Sequence, residues 1–129
     1  MVFLKNYFVG TTQEIDFIPI IHDVRFAVHD SQIADGLATI GVPESGASLL
    51  VTTQSLEELL ERKEKLKMVE GFNMSLSIPF QKKELILNPK QIIYLVDFTA
   101  QPKRREFYVQ VMGEGPPQGQ NEPKGGKRR

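Results

Sequence analysis

The chain has 129 residues, with 16 Lys and Arg against 16 Asp and Glu, 40% hydrophobic and 25% charged residues, and no cysteine. That length holds one domain with one core, and no stretch approaches the roughly 20 apolar residues of a membrane span. A neutral charge balance does not point to nucleic acid, and without cysteine there are no disulfides and no thiolate metal sites.

The N-terminal Met-Val-Phe-Leu-Lys-Asn-Tyr-Phe-Val lacks the basic lead and cleavage site of a secretory signal, so a cytoplasmic location is the expectation. Two short strands are predicted around Tyr7–Val9 and Glu14–Phe17, separated by Gly10-Thr11-Thr12-Gln13. Pro19 suits the start of a helix, where its missing N–H costs nothing. Ile20, Ile21, Val24, Ala27 and Val28 then form an apolar stripe at helical spacing, with His22, Arg25 and His29 on the opposite face. That helix is expected to end near Ser31, before a loop closed by Gly36.

Leu37–Val42 and Ala47–Thr53 read as strands on either side of the Pro43-Glu44-Ser45-Gly46 break. Ser55-Leu56-Glu57-Glu58 is a capping box, in which Ser55 and Glu58 satisfy each other's backbone donors. It starts a second helix with Leu56, Leu59, Leu60, Leu66 and Val69 inward and Gly71 as its stop. Met74–Phe80, Leu85–Leu87, Gln91–Phe98 and a last strand after Lys103 follow with short polar connections, which predicts an antiparallel meander.

In the last strand Phe107, Val109 and Val111 share one face, and Tyr108, Gln110 and Met112 share the other. Beyond it the composition changes: residues 113–129 hold five glycines and three prolines and end in Lys-Arg-Arg. Such a segment cannot bury enough apolar surface to offset its ordering entropy. The domain is therefore placed at residues 1–113 and a flexible basic tail at 114–129. The tail carries four cations against two carboxylates, a balance of +2 that leaves the body at −2. The element order ββ-α-ββ-α-ββββ predicts the α+β class, a single compact domain in which two helices cover an antiparallel or mixed β-sandwich.

Five collinear stretches resemble the YjbQ-like proteins, also called the secondary thiamine-phosphate synthase family. They are Val24–Ile33 with Gly36, Gly41-Val42-Pro43 with Gly46-Ala47, Ser77-Ile78-Pro79-Phe80, Gln91 with Ile92–Phe98, and Arg104-Arg105 through Val109-Gln110-Val111-Met112-Gly113-Glu114. The resemblance runs from about Tyr7 to Glu114. It implies a compact α+β sandwich assembled as a homotrimer, with thiamine-phosphate synthase activity on a small phosphate-bearing ligand.

The chain departs from the family pattern where the family's chemistry is expected. Typical members carry a His in the turn after the Val-Pro, and this chain has Glu44 and Ser45 there. The family's His-rich loop after the second helix is missing, and Lys90 replaces the aromatic before Gln91. The remaining His22 and His29 are seven residues apart on one helix, about 10 Å along its axis, too far to share an ion unaided. No metal ligands are therefore assigned, and no cofactor is expected, the family's divalent metal included.

The catalytic candidates are Glu44, a general base in place of the lost His, Ser45 beside it, and Gln91. The simpler reading of Glu44 and Ser45 is a polar turn given its freedom by Gly46. Arg104 and Arg105 are the anion-binding candidates, through the guanidinium fork that matches phosphate. The simpler reading there is a charged strand end that blocks edge-to-edge pairing. The expected partner is the chain itself, with neither nucleic acid nor membrane.

Overall fold

Residues 104–114 form the strand on which the rest of the molecule is laid out. The computed structural model describes residues 1–43, 46–61 and 74–114. Within them run β1 (Val2–Gly10), β2 (Asp16–Pro19), α1 (Ile21–Ser31), β3 (Asp35–Gly41), β4 (Ala47–Thr52), α2 (Leu56–Glu61), β5 (Ser75–Gln81), β6 (Glu84–Leu85), β7 (Ile92–Asp97) and β8 (Arg104–Glu114). The class and element order are those read from the sequence, an α+β fold with every strand pairing antiparallel.

The strands make two sheets, one in the order β1-β8-β3-β5-β6 and one in the order β2-β7-β4. The expected meander is therefore wrong. Only β5 and β6 form a hairpin, whereas β7 joins the small sheet and β8 crosses back between β1 and β3. The reason lies in β7. Ile93, Tyr94, Leu95 and Val96 are all buried, so this strand needs apolar cover on both faces. One face meets the main core, where Ile93 and Leu95 pack with Val24, Val28, Ile40 and Phe107. The other is covered by Leu59 of α2 with Ile15 and Phe17.

β8 follows the simpler rule of one buried and one open face. Phe107, Val109 and Val111 are fully buried, each such side chain contributing about 1.5–3 kcal/mol on leaving water. Pro19 ends β2 and does not open the helix. β2 is an edge strand, where a missing N–H does little harm.

Gly36 is also not a loop residue. Gln32 takes the left-handed turn after α1, at φ 63°, while the Ser31 hydroxyl donates to the Val28 carbonyl and accepts from the Ile33 N–H. Gly36 instead lies in β3 directly across from Gly113 of β8. A Cβ there would overlap the Met112 carbonyl oxygen and stand 2.8 Å from the Gly113 Cα.

The capping box at α2 forms as expected. The Glu58 N–H donates to Ser55 Oγ at 3.2 Å, and the Ser55 N–H donates to Glu58 Oε1 at 2.9 Å. Of its described leucines Leu59 is buried, whereas Leu56 and Leu60, also expected to face inward, are exposed. Leu66, Val69 and Gly71 lie outside the described residues. No helix among the described residues is long and apolar enough to cross a membrane.

Candidate functional site

The two buried charged residues among those described, Asp97 and Arg105, meet where β7 ends and β8 begins, with buried Thr11 beside them. Asp97 closes β7 and Arg105 is the second residue of β8, and the loop between them turns the chain from one sheet to the other. Arg105 has the same parity as Phe107, so its side chain enters the core, where the residue is 2% exposed. Its Nε donates to Asp97 Oδ2 at 2.8 Å, and both side chains are almost fully shielded from solvent.

The second carboxylate oxygen is held locally. Asp97 Oδ1 accepts from the Thr99 N–H at 2.7 Å and from the Thr99 hydroxyl at 2.6 Å. Burial pushes the Asp97 carboxyl up, but the hydrogen bonds from Arg105 and Thr99 together outweigh it and hold the group below the ordinary carboxylate value. The ion pair is thus fixed in its charged form.

Two further segments close over the pair. Gly46, at φ 84°, passes so close that a Cβ would run into Thr99 Cγ2 and stand 3.1 Å from Arg105 Nη2. Its carbonyl accepts the Phe98 N–H at 2.8 Å. From the other side buried Thr11 ties the β7–β8 loop down. Its hydroxyl donates to the Gln101 carbonyl and accepts the Lys103 N–H, both at 2.9 Å, and its own N–H donates to the Lys103 carbonyl at 2.8 Å.

Of the described residues singled out from sequence, Arg105 lies here and Arg104 and Gln91 do not. Arg104 projects to the opposite, solvent-facing side of β8, where its guanidinium lies 3.9 Å from the centre of the Phe8 ring. β8 has neighbours on both sides only from Tyr108 to Glu114; Arg104 and Arg105 lie beyond the last β3 pair and are paired with β1 alone. Gln91 sits at the far end of β7, six residues from Asp97, which is about 20 Å along a strand. There its Oε1 accepts the Asn88 N–H at 2.9 Å, a hydrogen bond that shapes the turn before β7. Glu44 and Ser45 lie outside the described residues. His22 and His29 are exposed on α1. Among the described residues no three His, Cys, Asp or Glu side chains are grouped as metal ligands would be.

Sequence reasoning passed over Asp97, Thr99 and Thr11. One signal was available. Arg105 falls at an inward position of an alternating strand, and a guanidinium there requires a buried counter-charge. Asp97, at the end of a continuous apolar run and two residues before a threonine, is the carboxylate that meets that need.

The fold is that of the YjbQ-like proteins, the class that the five sequence stretches had suggested. A YbjQ-like protein of unknown function from Sulfolobus solfataricus superposes with a TM-score of 0.79 at 18% identity, over 88% of this chain and 99% of that one. An uncharacterised conserved protein of the YjbQ family from Clostridium acetobutylicum superposes with a TM-score of 0.72 at 22% identity, over 84% and 99%. A hypothetical protein from Aeropyrum pernix does so with a TM-score of 0.75 at 19% identity, over 86% and 98%. No family model and no curated protein matches the sequence.

Proposed function

We propose that this chain is a divergent member of the YjbQ family that assembles as a homotrimer and binds a small phosphate-bearing anion without transforming it. The observation that carries this reading is the separation of the two arginines. Arg105 is committed to Asp97 inside the core, and Arg104 faces solvent over Phe8. A transferase that expels pyrophosphate concentrates cations or a metal on one leaving group. Here two adjacent guanidiniums point to opposite sides of a sheet, and a carboxylate already balances one of them. In this reading Arg104, with exposed Lys103 before it, offers its fork to a phosphate, while Arg105 positions the loop through Asp97 and Thr99. No resident divalent metal is needed.

Calorimetric titration with inorganic phosphate and with pyrophosphate is the direct test. Saturable binding is expected, weakened about tenfold in Arg104→Ala, the loss of one charge-assisted contact. Incubation with a pyrimidine methyl diphosphate, a thiazole phosphate and Mg²⁺ is expected to yield no thiamine phosphate above a blank. Turnover in that assay would replace this proposal with the transferase alternative that the family resemblance implies.

A further inference from the structure

We infer that Thr11 is the positioning residue of the anion site, and that the seat it sets up is the bare strand end at Gly10. The assignment rests on the phosphate binding proposed above and names what holds that site in shape.

Arg104 is the first residue of β8 and pairs with Gly10, the last residue of β1. Residues paired in this way turn to the same side of a sheet. Gly10 therefore leaves a gap on the surface that carries Arg104, and a Cβ there would meet nothing within 4 Å. Phe8, two residues earlier, takes the flat face of the Arg104 guanidinium and leaves the N–H edge to an oxyanion. Glu106, the next outward residue of β8, is engaged by Asn6 and the Tyr108 hydroxyl. An anion at Gly10 thus meets one guanidinium beside exposed Lys103, with backbone as its floor.

That arrangement holds only if Lys103 is fixed. The loop before it is neither helix nor strand, and Ala100 sits in it at φ 55°. A residue with a Cβ keeps this left-handed conformation only where its surroundings impose it. Asp97 holds the start of the loop through Thr99. Thr11 holds its end and grips both sides of Lys103. The Thr11 N–H donates to the Lys103 carbonyl at 2.8 Å, and the Thr11 hydroxyl accepts the Lys103 N–H at 2.9 Å. The same hydroxyl donates to the Gln101 carbonyl at 2.9 Å. Thr11 is only 9% exposed, so water competes poorly for these bonds. Its neighbour is pinned as well, since the Thr12 N–H donates to Asp16 Oδ2 at 2.6 Å. The clasp is thereby tied to β2 as well as to β1. Without the hydroxyl, Lys103 and Arg104 spread over more orientations, and the cost of ordering them falls on binding.

Calorimetric titration of the full chain with inorganic phosphate is the test. Thr11→Val keeps the shape of the side chain but not its hydroxyl, and is expected to weaken binding about tenfold. Thr11→Ser restores the hydroxyl and is expected to stay within about twofold of wild type. Ser31→Ala is the stability control, because it removes another buried hydroxyl that bonds to backbone on both sides, at the end of α1. It is expected to lower the melting temperature and leave the affinity unchanged. If wild type binds phosphate and Thr11→Val binds it equally well, the role of Thr11 fails while the anion site stands. Equal weakening in Thr11→Val and Ser31→Ala also overturns it, since general loosening then accounts for the loss. No binding by wild type overturns both the site and its positioning residue. Should Thr11→Val fail to fold, amide exchange in the wild-type chain decides. With phosphate at ten times its Kd, exchange of the Lys103 N–H is expected to slow about tenfold, because opening the clasp releases the anion. An unchanged rate would overturn the assignment.

Discussion

Arg104 and Arg105 are neighbours in the chain, and β8 sends them to two different environments. On the outward side Arg104 keeps its hydration and rests on the Phe8 ring, and its strand-mate Glu106 accepts hydrogen bonds from Asn6 and from the Tyr108 hydroxyl across the surface. On the inward side Arg105 is sealed with Asp97 and continues a buried column of Phe107, Val109 and Val111. The same side-chain chemistry is adaptable on one face and structural on the other. Alternation along a strand sorts residues by role as well as by polarity.

The largest break in this contrast is expected from Arg105→Met. It leaves the Asp97 carboxylate buried without its cation and should cost about 3–5 kcal/mol in urea unfolding. The double change Arg105→Met with Asp97→Leu is expected to recover much of that loss, because no buried charge is then left unpaired.

A pH series sharpens the same point. The folded Asp97 carboxyl titrates below its unfolded value of about 3.9, so its contribution to stability is present above that pH and is lost as pH falls towards the folded value. Acid unfolding monitored by circular dichroism should therefore steepen below about pH 4, and Asp97→Asn should lose that component.

A smaller effect, of opposite sign, is expected on the inward face of β1. The Tyr7 ring stacks on Phe107 with centroids 5.3 Å apart, but its hydroxyl is buried with no hydrogen-bond partner among the described residues. Tyr7→Phe removes that desolvated group and keeps the ring, and thermal unfolding should show a gain of up to about 1 kcal/mol. Outward, Arg104→Ala gives up only an exposed cation–π contact. It should change stability by no more than about 0.5–1 kcal/mol, whatever it does to anion binding.

Local structure was readable from sequence, and the long-range pairings were not. The stripe Val24–Ala27–Val28, the Ser55–Glu58 box and the alternation in β8 each express a short-range rule that tertiary contacts reinforced. The meander failed because short polar connections say nothing about which sheet a strand joins. The run Ile92–Val96, apolar at every position, was the clue that β7 is covered on both faces. At the candidate site the inward parity of Arg105 was legible. Its partner was not, because Asp97 lies on a strand of the other sheet and the loop between them sets their meeting.

The facing glycines of β3 and β8 act as an indexing key for that meeting. Neither Gly36 nor Gly113 tolerates a Cβ, because each would collide with the opposing backbone. Sliding β8 by one residue would bring Met112 or Glu114 opposite Gly36, where neither side chain fits. The chain therefore has one setting on this edge. Counted back along β8 from Gly113, that setting places Arg105 beyond the last β3 pair, Gly41 with Tyr108, where the core opens to admit a guanidinium. Two residues without side chains thus determine, from the far end of the strand, which arginine enters the core and which remains in solvent.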